Sequence, residues 1–264
     1  MPVIVTDILF YSVIIFAILA VAAHLHTRWS ARKILNQQKA IYSGKMEYAN
    51  ASPDSFPWLD RSFYEDVTRK MLDAGYRNVG DFECLTASRQ FPSMRTFVRS
   101  FTGDSGTTMS ACFHVKMRGF MGFFALLGVI PKNLRTIEFE TEFSDNTFLS
   151  TSNSLGLNAF TDFPGIVIQQ LPPDASYEQI LARHREKLRE LVEVIKLQPV
   201  IVASAEEILA SQDRMHELKS RHREKTGYVT REQFKTMAGG KLSDAQNELV
   251  DEFERAREED VRKK

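Results

Sequence analysis

The chain begins with an apolar run, VIVTDILFYSVIIFAILAVAA from Val3 to Ala23, whose one charge is Asp7 and which has no polar face. Roughly 20 such residues rising about 1.5 Å each cross a hydrocarbon core of about 30 Å, so the run predicts a transmembrane helix. Ala20-Val21-Ala22 has the small-x-small form of a signal-peptidase site. A cleaved signal, however, carries positive charge ahead of its apolar stretch, and only Asp7 stands there, so the reading is an anchor.

Farther along, the periodicity changes character. Leu59, Phe63, Val67 and Met71 recur every four residues and predict a helix that Gly75 ends. The strand signals that follow run over residues 77–88, 94–101, 107–117, 135–143 and 147–152, with 165–171 as a further candidate. The cleanest alternation puts Ile137, Phe139 and Phe143 inward and Glu138, Glu140 and Glu142 outward, toward solvent. After residue 171 the pattern is helical. Ser176/Gln179, Ser204/Glu207, Thr230/Gln233 and Ser243/Gln246 each match the capping box, in which two side chains satisfy each other's orphan amides, so four helices are expected. Tyr177, Leu181, His184, Leu188, Leu191 and Ile195 form a stripe suited to packing on the sheet. The last helix, mostly charged, reads as a solvated or frayed tail.

These elements predict an α+β protein. It has one N-terminal transmembrane helix, an antiparallel sheet of about four to six strands packed by helices, and a helical C-terminal extension. The divisions drawn are an anchor over 1–24, a basic juxtamembrane segment and linker over 25–58, the α+β domain over 59–200 and the extension over 201–264.

Composition narrows the function classes. Among 264 residues, 34 Lys and Arg balance 34 Asp and Glu, so there is no overall basic footprint for nucleic acid. The positive charge is local: Arg28, Arg32, Lys33, Lys39 and Lys45 follow the apolar run, and no Lys or Arg precedes it. That bias places the bulk of the chain in the cytoplasm. Trp29 suits the headgroup level, and Arg28, Arg32 and Lys33 suit lipid phosphates. A second stretch, GFMGFFALLGVI over 119–130, is apolar on every face, too short to span, and flanked by Lys116, Arg118, Lys132 and Arg135. It is either a membrane-dipping loop carrying Phe120, Phe123 and Phe124 or a buried core segment.

Candidate chemistry is sparse. Gly103-Asp104-Ser105-Gly106 resembles four residues around a serine-protease nucleophile, yet Thr107 replaces the next glycine and turn chemistry accounts for the segment. Residues 222–234 have the outline of an EF-hand loop, but His222, Thr226 and Gln233 stand at ligand positions one, five and twelve, so a helix-turn-helix is expected. The Glu138, Glu140 and Glu142 stripe fans out along its strand instead of converging on a metal, with His114 weighed as a neighbour and Arg95 and Arg99 as charge partners. Cys84 and Cys112 are too few for a disulfide framework.

No catalytic, cofactor or metal site is assigned. The expected function is a single-pass membrane protein whose cytoplasmic α+β domain is an interaction module, its partners membrane lipids and a protein partner. The alternative is a membrane-tethered enzyme or small-ligand domain using a pocket between helix and sheet. A pocket of converging polar groups with shifted pKa values favours the second; an open, apolar sheet face favours the first.

Overall fold

Strand β5, Asn133–Glu142, pairs antiparallel with β4, Thr108–Lys116, on one side and β6, Phe148–Ser152, on the other. Around these three, a computed structural model places β1 (Tyr48–Asn50), β2 (Arg77–Cys84), β3 (Phe97–Gly103) and β7 (Ile166–Gln170) in one seven-stranded sheet, ordered as in the chain. The structure describes residues 25–33, 35–92, 95–116, 133–154, 163–228, 230–237 and 240–262. The apolar run 3–23 and the 119–130 stretch with Phe120, Phe123 and Phe124 lie outside them. Among the described residues no helix is long and apolar enough to cross a membrane.

The sheet departs from expectation in two ways. It has seven strands, because Tyr48–Asn50, inside the stretch read as linker, pairs with β2. It is also mixed, since β6 and β7 run parallel. The short turns after β3 and β5 force antiparallel pairing there, and the connection over 153–165 brings the chain back in the same direction. Residues 85–88, expected to prolong a strand, belong instead to the short helix α3 (Leu85–Gln90), with the Cys84 sulfur accepting from Ala87 N.

The chain divides into two compact units, Ile41–Glu224 and the pair of segments Met1–Ala40 and Lys225–Lys264. In the first, helix α2 (Arg61–Asp73) starts at the Asp60 cap, and Gly75, with φ +87°, follows its end. It packs with helix α4 (Tyr177–Glu193) over an aromatic core containing Phe97, Phe101, Cys112, Ile137, Phe139 and Ile180. The α4 stripe lies on the sheet as its spacing predicts; Leu181, His184 and Leu191 are buried, while Ile195, beyond the helix, is exposed. His184 sits between Thr141 Oγ1 at 3.1 Å and Thr151 Oγ1 at 3.0 Å.

All four capping boxes form. They open α4, α5 (Ala205–Thr226), α6 (Arg231–Met237) and α7 (Asp244–Val261), with side chain and backbone bonded in both directions in each case. In the second unit, α7 is not a solvated tail: Phe253 and Ala256 pack against Ala31 and Leu35 of helix α1, which is helical over 25–33 and 35–42. Charge dominates the composition of α7, but the Leu249, Phe253 and Ala256 spacing supplies one apolar stripe, which suffices to dock a helix.

Candidate functional site

Side chains on a strand alternate between faces, so residues flanking Ile137 and Phe139 must point away from the aromatic core. Glu138, Glu140 and Glu142 do so, but they do not face solvent. Helix α5 lies over that side of the sheet, and Glu140 and Glu142 are only 8% and 3% exposed. The expectation of a solvated acidic face is therefore corrected. A strand pattern distinguishes two faces but cannot tell water from a polar helix.

Helix α5 meets the acids with its own polar groups. Arg214 donates from Nε and Nη2 to the two Glu142 oxygens at 2.5 and 2.7 Å, a bidentate pair. Two residues back, the Gln212 amide donates to Glu140 Oε2. Glu138 accepts from the Ser150 hydroxyl at 2.7 Å. Apolar contacts among Met109, Val202 and Ile208, and among Phe148, Ile166 and Met215, hold the helix down around these groups.

Between α5 and the sheet lies a cavity of about 190 Å³. Glu138 and Glu140 line it, with Tyr48, Phe82, Met109 and Phe113 on the sheet side and Ile208, Leu209 and Gln212 from the helix. Burial, reinforced by the neighbouring Glu138 charge, raises the Glu140 carboxyl from its ordinary value to about 8, so it holds its proton at neutral pH. Burial likewise raises the Tyr48 phenol and the Cys84 thiol. A larger, more open groove of about 520 Å³ runs along the other edge of α5, past Tyr42, Lys45, Asp213, His216 and Glu217. There His216 stacks on Tyr42 at 5.6 Å and reaches Gly44 O at 3.0 Å, and burial lowers its pKa. The smaller cavity is the candidate site, because it brings two carboxyls together, Glu140 buried and Glu138 half-buried, neither in an ion pair among the described residues.

The other sequence candidates fall elsewhere. His114 shares a face with Cys112, across the sheet from the acids, and its amide donates to Tyr64 Oη at 2.8 Å. Arg95 and Arg99 pair with Glu83 and Asp81 through bidentate bonds of 2.7–2.8 Å, because β2, not β5, neighbours β3. Gly103–Gly106 is the turn between β3 and β4, with Ser105 at φ +62°. Among the described residues no cluster could hold a metal ion.

Of the residues expected to meet lipid, Arg28, Trp29, Arg32 and Lys33 all lie on α1. Trp29 is 59% exposed, with Lys33 Nζ 4.9 Å from its ring centre. Arg28 pairs with Glu259 at 3.2 Å and approaches Glu252 at 3.9 Å, and Arg32 also pairs with Glu259. Phe120, Phe123 and Phe124 lie outside the described residues.

Sequence reasoning singled out Glu138 and Glu140 but missed Tyr48, Gln212 and Ser150. The one local signal was the weak stripe Ile208, Gln212, Met215 on α5, which marks a helix side meeting a surface without naming the surface. Compared with family models, curated proteins and solved structures, the chain matches none.

Proposed function

We propose that this chain is a membrane-anchored protein whose α+β unit binds a small molecule in the cavity between helix α5 and the sheet. The observation that carries the reading is the pair Glu138, half-buried, and Glu140, buried, which among the described residues accept only from neutral donors and which both line the cavity. Buried polar groups around a concavity are the ordinary mark of a ligand site, and a carboxyl with a strongly raised pKa adds to it. The anchor rests on residues 3–23 and the basic residues after them, which favour a cytoplasmic location for the rest. Trp29, Arg28, Arg32 and Lys33 on α1, together with Phe120, Phe123 and Phe124, are its proposed lipid contacts.

Filling the cavity tests the binding reading. Fragments of up to about ten heavy atoms, screened by ligand-observed NMR on the full chain in nanodiscs, are expected to bind the native protein and to be lost on Ala111→Leu, since Ala111 lines the cavity. Undiminished binding to that variant would place the site elsewhere. Alkaline carbonate extraction tests the anchor: the chain stays with the membrane pellet, and release into the soluble fraction contradicts it.

A second reading, the protein-interaction module, draws support from exposed apolar side chains in the α4–α5 connection, Val194 at 70% and Ile201 at 64%. Val194→Lys with Ile201→Lys abolishes partner capture under this reading and leaves fragment binding untouched.

A further inference from the structure

The strands carry five carboxylates, and their partners divide them into two groups. Asp81, Glu83 and Glu142 are each gripped by a guanidinium, from Arg99, Arg95 and Arg214. Glu138 and Glu140 have no ion pair among the described residues; Ser150 and Gln212 are neutral. An unmatched buried carboxylate is costly, so the fold either keeps it protonated or leaves it for a cation to match. These two are the acids that face the cavity, about 7 Å apart along one strand. The rings of Tyr48, Phe82 and Phe113, with Met109, line the same space. Aromatic faces attract a cation and favour one with an apolar body over a hydrated metal ion.

We infer that the cavity selects a small organic cation, an ammonium group on a compact apolar body, with Glu138 and Glu140 as its counter-charges. The inference rests on the ligand-binding reading of that cavity and adds the chemical class. Size agrees: a cavity of about 150 Å³ is enough for benzene, and this one measures about 190 Å³. Binding is coupled to a proton. Before binding, Glu140 is a neutral carboxyl; the ammonium arrives charged, the Glu140 O–H bond breaks, the proton leaves to solvent, and the ammonium–carboxylate pair remains.

The groups that act on Glu140 come from every element around it. Glu138 on its own strand favours the protonated form, and Lys219 on α5 opposes it from a distance without an ion pair among the described residues. Tyr48 on β1, Cys84 on β2 and Asp213 on α5 interact with one another or with Glu140 while burial keeps the phenol and the thiol neutral. Glu140 is thus the group that titrates on binding. With its pKa near 8, affinity rises about fifty-fold between pH 6 and pH 8.

Benzylammonium, charged throughout that range, is the probe, with benzyl alcohol as its neutral counterpart and benzoate as an anion. Calorimetric titration of the full chain in nanodiscs, in two buffers of different ionisation enthalpy, reads affinity and proton release together. The expected result is benzylammonium bound at least tenfold more tightly than the alcohol at pH 8, release of a proton at pH 7, and no benzoate binding. Glu140→Gln and, separately, Glu138→Gln weaken benzylammonium at least tenfold and leave the alcohol unchanged, which a merely structural role would not do. Equal affinity for the alcohol and the cation overturns the cation inference while the ligand cavity stands. Failure of all three probes overturns both.

Discussion

The two faces of the one sheet solve opposite problems. Toward α2 and α4, Phe97, Phe101, Ile137 and Phe139 pack into a continuous aromatic core, in which Tyr64 donates to Phe97 O at 2.7 Å and accepts from His114 N. Toward α5 the same strands present Glu138, Glu140, Glu142 and Ser150, and the covering helix answers with Gln212 and Arg214. The first face gains stability from area removed from water. The second spends part of that gain on buried charge, and it encloses a cavity. A protein held together by one face can keep the other available for recognition, as sites built at some cost in stability commonly are.

Substitutions on each face should behave accordingly. The largest effect belongs to the aromatic face: Phe139→Ala, at a fully buried position, is expected to cost about 3–5 kcal/mol in chemical denaturation. A loss below about 1 kcal/mol would remove the distinction between the faces. On the acid face, Arg214→Ala strands the Glu142 carboxylate, which is 3% exposed. The expected cost is about 2–3 kcal/mol, short of a fully buried pair because the arginine itself is 42% exposed. Adding Glu142→Gln to that variant should restore most of the loss; if it does not, the bidentate pair is not what the helix contributes there.

The smallest effect carries the clearest sign. The Glu140 carboxyl is raised by burial from 4.5 to about 8. Between those values the unfolded chain ionises while the folded chain keeps its proton, so this group lowers stability as pH climbs through the window. Glu140→Gln removes that loss. The variant should gain stability at pH 8 and almost nothing at pH 4, read from urea midpoints across pH. A difference independent of pH would show that the carboxyl titrates normally and is not enclosed.

Local signals were legible wherever both partners of an interaction lie close in sequence. The capping boxes at Ser176, Ser204, Thr230 and Ser243 place four helix starts, because each box closes within four residues. The alternation around Phe139 identifies which side chains of β5 share a face. The candidate site was half visible: Glu138 and Glu140 stand out, but Gln212 lies 72 residues from Glu140 and no spacing rule connects them.

Two misreadings share that cause. The acid stripe reads as solvent-facing because alternation reports difference, not what lies opposite. Residues 48–50 read as linker because a three-residue edge strand has too short a pattern to register, and the pairing with Phe82, Glu83 and Cys84 decides it. By itself, then, the sequence determined most element types, the four helix starts marked by capping boxes and the inward side of β5, since these depend on dihedral preference and local hydrogen bonding. The tertiary structure decided what covered the acidic side, which carboxylates found an arginine and which two were left facing a cavity, because charge matching depends on distances that the chain sets only when folded.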